Sequence, residues 1–196
     1  MKQGADESEI VEVLSPLVET LEDFGISYYV GGSVASSAYG ESRVTADVDV
    51  VADIPLAQAQ RLAKQLEQEY YTSADMIKDA IRYRSSFNII YLSTMTKVDI
   101  FIPKTRSFAQ QERLRSRPVI LITGTRPFLL SSPEDIILNK LEWYKMGGEV
   151  STRQWNDLMG VINRQKASLD FGYLQQWARE LHVESLLARA LAEAGV

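Results

Sequence analysis

The chain is 196 residues long, 45% hydrophobic, with 26 acidic against 21 basic side chains and a net charge of −5, enough for one domain or a domain with a helical annex. It has no cysteine and a single histidine, His182, which excludes disulfides and thiolate metal sites and sets zinc centres and histidine triads aside, while an isoelectric point near 5.0 argues against broad, nonspecific nucleic-acid binding. No apolar stretch approaches the roughly 18 residues of a membrane span, and the polar start Met1 to Glu9 is unlike a secretory signal, so no membrane association is expected and the expected location is cytoplasmic.

In chain order, Ile10, Val11, Leu14, Leu17, Val18 and Leu21 recur at helical intervals, with Pro16 either starting a second segment or kinking one helix. Gly25 closes that region before a strand over Ser27 to Val30. Gly31 and Gly32 then turn the chain into a small-residue helix, Ser33 to Tyr39, for which Ser33 is a natural N-cap and Gly40 an end. Ala46 to Val51 is a second β-branched strand. Pro55 stands at the first position of a helix over Leu56 to Tyr70, with Leu62, Ala63 and Leu66 on its apolar face, and Ser73 caps another through Ile81. Phe87 to Leu92 and Lys97 to Ile102 read as antiparallel strands about a Ser93 to Thr96 turn. Arg117 to Ile122 and Thr125 to Leu130 read as a further pair in which Pro127 restricts the second member to an edge.

The composition changes near Ser131. Ser132, Pro133, Glu134 and Asp135 make a strong helix start, with a cap, a first-turn proline and two acids at the positive end of the dipole, and Gly147, Gly148 end that helix. Ser151 to Gln154 has the capping-box pattern for the next. Asp170 and Val183 open two more, with Leu174, Trp177, Leu181, Leu186, Leu187 and Leu191 as apolar contacts. Two parts follow from this reading: a sheet-and-helix core over residues 1–130 and a helical region packed on it over residues 131–196.

The chemistry gathers around Asp47 and Asp49. In a strand, residues i and i+2 share a face, which sets their Cα atoms roughly 6.5–7 Å apart. Val48 and Val50 then point the other way, into a core. Val98 and Ile100 flank Asp99 in the same pattern, so a neighbouring strand can bring a third carboxylate to the same face. Three carboxylates together repel, and a hard divalent cation relieves that repulsion; Mg²⁺ favours a few carboxylates completed by substrate phosphates. A glycine turn before a helix N-terminus offers backbone N–H groups to phosphate oxygens. Ser33 either caps that helix or donates its hydroxyl to a phosphate. A Gly-Gly-Ser run alone is usually a turn, and a lone Asp-x-Asp a solvated strand edge; their order and spacing, with Asp99 added, point to a site.

That order of motifs resembles the DNA polymerase β-like nucleotidyltransferase superfamily through Gly32, Ser33, Asp47, Asp49 and Asp99. Within it the chain looks most similar to AbiEii-type nucleotidyltransferase toxins and related bacterial proteins, through Ser132 to Lys145 and Arg153 to Asp157. The resemblance implies an α+β nucleotidyltransferase fold, with a mixed β-sheet flanked by helices and a C-terminal helical bundle. It implies transfer of a nucleoside monophosphate from an NTP to a hydroxyl, with Mg²⁺ or Mn²⁺ held by Asp47, Asp49 and Asp99 and phosphates seated by Gly31, Gly32 and Ser33. Lys140 and Asp157 fit a helical lysine and aspartate that accompany the metal site in the toxins. On the residues alone, Lys140 either reaches a triphosphate or snorkels, and Asp157 either acts as a base or pairs with Arg153. A tRNA, a protein or a small molecule such as an aminoglycoside all suit as acceptor. The alternative is a non-catalytic nucleotide-binding module acting through a partner protein, as in a toxin-antitoxin pair.

Two further features stand apart. Lys104, Arg106, Arg113, Arg115 and Arg117 surround the single acid Glu112, and Arg82 and Arg84 add a smaller basic pair placed on a strand leading towards Asp99; both read as a docking face for phosphates or as solvated surface. Trp143, Tyr144 and Trp155 either stack on a base or belong to a core.

Overall fold

The computed structural model describes residues 6–42, 44, 45 and 47–196. The chain divides into two compact units, Met1–Val34 with Val44–Leu130, and Ala35–Arg43 with Ser131–Val196. The second unit thus takes in a segment from the early chain that a single linear boundary near residue 130 leaves out.

The first unit is built on a mixed sheet with the strand order β3-β4-β5-β2-β1-β7-β6. Its strands among the described residues are β1 (Tyr28–Val30), β2 (Asp47–Ala52), β3 (Tyr70–Tyr71), β4 (Ser86–Tyr91), β5 (Thr96–Phe101), β6 (Arg117–Val119) and β7 (Phe128–Leu130). β2 runs parallel to β5 and antiparallel to β1, and β4 runs antiparallel to β5. Alternation divides the central strands into two faces. Val48, Val50, Val98, Ile100 and Ile89 are fully buried on one of them, while Asp47, Asp49, Lys97 and Asp99 lie part-exposed on the other.

Helix α1 (Glu7–Asp23) contributes Ile10, Val13, Leu14, Leu17, Val18 and Leu21 to the core. This stripe is unbroken across Pro16, so one helix forms where the sequence allowed a break. Burial of apolar residues on both sides of the proline outweighs the hydrogen bond that its missing N–H costs. Tyr70 ties the sheet edge to this helix by donating to the carbonyl of Val13 at 2.5 Å.

Several element boundaries differ from the sequence reading. Leu56–Gln58 form a 3₁₀ turn and α3 runs over Ala59–Leu66; Tyr70 leaves the helix because its ring is buried beside Tyr91 in the β3–β4 pair. β7 is an interior strand, with Pro127 just before it, and the edge belongs to β6, which carries Pro118. Arg82 lies in the last turn of α4 (Ala74–Tyr83) and Arg84 caps it in the left-handed conformation, so neither lies on a strand. Ala46, the expected start of the second strand, lies outside the described residues.

In the second unit, α6 (Pro133–Met146), α7 (Thr152–Gln165), α8 (Phe171–Glu180) and α9 (Glu184–Ala194) pack against one another, α6 touching the other three. Ser132, Ser151 and Asp170 cap α6, α7 and α8 through side-chain bonds to backbone N–H groups. His182 sits in the turn between α8 and α9, exposed and with φ +57°. Helix α2 (Gly32–Tyr39) spans both units. Its C-terminal end meets α7 at two glycines: a Cβ on Gly40 would lie 2.8 Å from Ser36 O and 3.0 Å from the Gly160 carbonyl carbon.

Candidate functional site

In the first unit, strand register assembles the acidic residues. Asp47 lies opposite Lys97, and Asp49 opposite Asp99, across the parallel pair β2–β5. Asn88 lies opposite Asp99 on the far side, across the antiparallel pair β4–β5. Directly paired residues project to the same face. Asp47, Asp49, Lys97, Asp99 and Asn88 therefore share one surface of the sheet, whose opposite surface is the apolar core.

Lys97 was not singled out by the sequence reading, yet it dominates the electrostatics. Its ammonium lies 3.2 Å from Asp47 Oδ1 and 2.8 Å from Asp99 Oδ2. The hydrogen bond to Asp99 is the largest influence raising the Lys97 pKa above its ordinary value, opposed by partial burial. The signal was present in the sequence: Lys97 and Asp99 are two apart in a strand, so alternation places them side by side.

The third carboxylate is aimed elsewhere. A Cβ built on Gly32 would fall 1.8 Å from Asp49 Oδ2 and 2.6 Å from its Cγ, and Gly32 has φ +53°. Only glycine combines that backbone conformation with the room the carboxylate takes. The ladder also runs one residue past β1, because the Gly31 N–H donates to Asp49 O at 2.9 Å. Helix α2 then starts at Gly32, so Ser33 falls inside its first turn instead of at the N-cap. The glycine turn and the acidic strand are therefore one local structure, joined through Asp49.

These residues fit a hard cation in one specific respect. Asp47 and Asp99 converge from adjacent strands on a single positive centre, the Lys97 ammonium, which stands where a metal cation bound by both carboxylates would sit. Carboxylate oxygens are the donors that Mg²⁺ and Mn²⁺ prefer. Among the described residues, no group of three or more acidic, histidine or cysteine side chains is gathered around one point.

Lys140 belongs to the second unit. It is buried, and its Nζ donates to Asp157 Oδ2 at 2.8 Å and to Gln154 Oε1 at 3.1 Å. Asp157 thus has Lys140 as a partner, a pairing absent from both readings of the sequence. Gln154, expected to complete a capping box, gives its backbone N–H to Ser151 and its side-chain oxygen to Lys140. Glu134 and Asp135, read as dipole-facing acids, are fully engaged in the interior: Glu134 accepts from the Asp170 N–H at 2.9 Å, and Asp135 from the Ser132 and Tyr173 hydroxyls at 2.6 and 2.7 Å. Tyr144 and Trp155 are buried with ring centroids 5.1 Å apart, while Trp143 is exposed. Lys145 is exposed and donates to His182 O at 2.5 Å.

The basic stretch lies on and around α5 (Ser107–Arg115). Lys104, Arg113 and Arg117 are exposed, and Glu112 is buried.

No protein-family model matches the chain, and no curated protein matches it in sequence. Solved structures do match over nearly the whole chain. An antigenic nucleotidyltransferase-like protein from Paracoccidioides brasiliensis superposes with a TM-score of 0.58 at 17% identity, over 97% of this chain and 95% of that one. The chain has a nucleotidyltransferase fold. Two further structures share the nucleotidyltransferase fold with it: ANT(2″)-Ia in complex with adenylyl-2″-tobramycin, with a TM-score of 0.57 at 14% identity over 88% of this chain and 96% of that one, and the lincosamide antibiotic adenylyltransferase LnuA bound to lincomycin, with 0.51 at 12% over 82% and 98%. No helix among the described residues is long and apolar enough to cross a membrane.

Proposed function

We propose that this protein is a Mg²⁺- or Mn²⁺-dependent nucleotidyltransferase that moves a nucleoside monophosphate from an NTP to an acceptor hydroxyl and releases pyrophosphate. The observation that carries this reading is the register of β2 on β5, which sets Asp49 beside Asp99 and Asp47 beside Lys97 on one sheet face, next to the Gly31–Gly32 turn.

In this reading Asp47 and Asp99 would hold the metal from adjacent strands, and Asp49, whose carboxylate packs against Gly32, would complete the set by turning towards them. When bound, a divalent cation supplies charge stabilisation to the phosphoryl oxygens. Gly32, by leaving room for the Asp49 carboxylate, holds that side chain at the turn, and the N–H groups at the start of α2 are the donors for phosphate oxygens. Asp99, a carboxylate on the same face, accepts the proton of the attacking hydroxyl. Lys140 enters only through the resemblance to AbiEii-type toxins; the contacts with Asp157 and Gln154 fix its orientation.

The acceptor is a tRNA, a protein or a small molecule. Fold relatives that carry adenylyl-tobramycin and lincomycin support the small-molecule class. A second reading, a nucleotide-binding module that works through a protein partner, draws on one observation. Lys97 already offsets one of the two negative charges of Asp47 and Asp99, so the pair depends less on a metal for charge balance.

The experiment that separates these readings supplies each NTP labelled at the α- or the γ-phosphate, with Mg²⁺ and pools of tRNA, protein and aminoglycosides, to the protein and to Asp47→Ala. Transfer of the α label with release of the γ label as pyrophosphate, absent in Asp47→Ala, supports the enzyme. Binding of nucleotide with no label transferred supports the module.

A further inference from the structure

Lys97 occupies the position that a cation shared by Asp47 and Asp99 must take. Its ammonium nitrogen is 3.2 Å from the one carboxylate and 2.8 Å from the other. A magnesium ion held by the same oxygens sits about 2.0–2.1 Å from each, so lysine and metal exclude one another sterically as well as by charge. The arrangement is built into the backbone, because strand register places Lys97 opposite Asp47 and alternation places it beside Asp99. The side chain also has somewhere to go: it is 42% exposed, and four rotatable bonds lead from a fixed strand position to the ammonium.

We propose that Lys97 is a resident counter-cation that a metal must displace, so that the protein alone binds divalent cations weakly and binds them well once a nucleotide arrives. The inference rests on the metal-dependent reading above. Without nucleotide, the entering divalent ion must first displace a positive charge already paired with both carboxylates, which removes part of its gain. With nucleotide present, the phosphates supply negative charge both to the ion and to the released ammonium, and the exchange becomes favourable. Lys97 is in this sense a group that couples metal entry to substrate entry, and no motif in the glycine turn or the Asp-x-Asp pair announces it.

The test is direct Mn²⁺ binding by electron paramagnetic resonance, without any turnover, to the wild-type protein and to Lys97→Met and Lys97→Gln. Circular dichroism confirms that each variant is folded. The expected result is that both variants bind Mn²⁺ about tenfold or more tightly than wild type in the absence of nucleotide, because a like charge has been removed from the site. A non-hydrolysable NTP analogue should raise wild-type Mn²⁺ affinity and close most of that gap. Equal or weaker Mn²⁺ binding by the folded variants overturns the proposal while leaving a metal site in place. Absence of Mn²⁺ binding in all three proteins, with and without the analogue, overturns the proposal together with the metal-dependent reading.

Discussion

Gly32 and Asp49 fit together: the carboxylate of Asp49 fills the space in which a Cβ on Gly32 would lie, 1.8 Å from Oδ2. A site that depends on this contact is sensitive to the smallest substitution. Gly32→Ala must both hold a non-glycine residue at φ +53° and push the carboxylate aside, which costs about 1–3 kcal/mol. The expected outcome is a lower midpoint in urea and a loss of metal-dependent nucleotide binding larger than that of Gly25→Ala, whose Cβ would meet nothing within 4 Å although its φ is +64°. Equal effects of the two changes on binding would disconnect Asp49 from the site.

Lys140 and Asp157 form a buried pair 2.8 Å apart, with side chains only 7% and 9% exposed. Removing one partner leaves the other charged in the interior, so Asp157→Ala should destabilise the protein by about 3–5 kcal/mol. Lys140→Met with Asp157→Leu removes both charges and should recover most of that loss. Denaturant titrations of the two singles and the double measure the coupling. Nucleotide affinity of the stable double variant then reports whether Lys140 serves the triphosphate as well as the fold.

Tyr28 makes folding sensitive to alkaline pH. Burial first, and then the carboxylate of Glu22, which accepts its hydroxyl at 3.1 Å, push Tyr28 up from 10.0 to about 12. The folded state thus holds this proton more tightly than the unfolded chain. Its contribution to stability is complete below a pH of about 10 and is lost as the pH rises towards about 12. Unfolding midpoints measured across that window should fall, and fall less steeply in Tyr28→Phe. Buried Tyr70, raised in the same direction mainly by burial, retains its share of the slope in that variant.

Two glycines in the second unit separate close approach from propensity. Gly40→Ala brings a Cβ to 2.8 Å from Ser36 O and 3.0 Å from the Gly160 backbone, and should destabilise by about 1–3 kcal/mol. Gly172→Ala meets only Asp170 Oδ1, at 3.4 Å, and lies in the first turn of α8. It should be neutral or stabilising by up to about 1 kcal/mol. Thermal melts of the pair check the contrast.

The architecture was legible where pattern and physics agree. Alternation in Asp47–Ala52 and Thr96–Phe101 defined both the buried and the open faces, and caps at Ser132, Ser151 and Asp170 marked helix starts that form as expected. Features set by distant packing were not. Pro16 stays within a helix because apolar residues on both sides of it are buried, and Tyr70 leaves a helix because its ring is buried against Tyr91. At the candidate site the acids were readable, and alternation alone places Lys97 beside Asp99; its second contact, with Asp47, depends on cross-strand register, which a single sequence does not state. Asp157 likewise meets Lys140 of the neighbouring helix, a contact that spacing along one helix does not reveal.

The central claim is that the acidic face of β2 and β5 binds a metal–nucleotide complex. Isothermal titration calorimetry with a non-hydrolysable NTP analogue, run with Mg²⁺ and with chelator, on the wild-type protein and Asp99→Asn, tests it most directly. Binding that requires Mg²⁺ and is abolished by Asp99→Asn is the predicted result. No binding by the wild-type protein, binding that is equal in chelator, or undiminished Mg²⁺-dependent binding by the folded Asp99→Asn protein would contradict it.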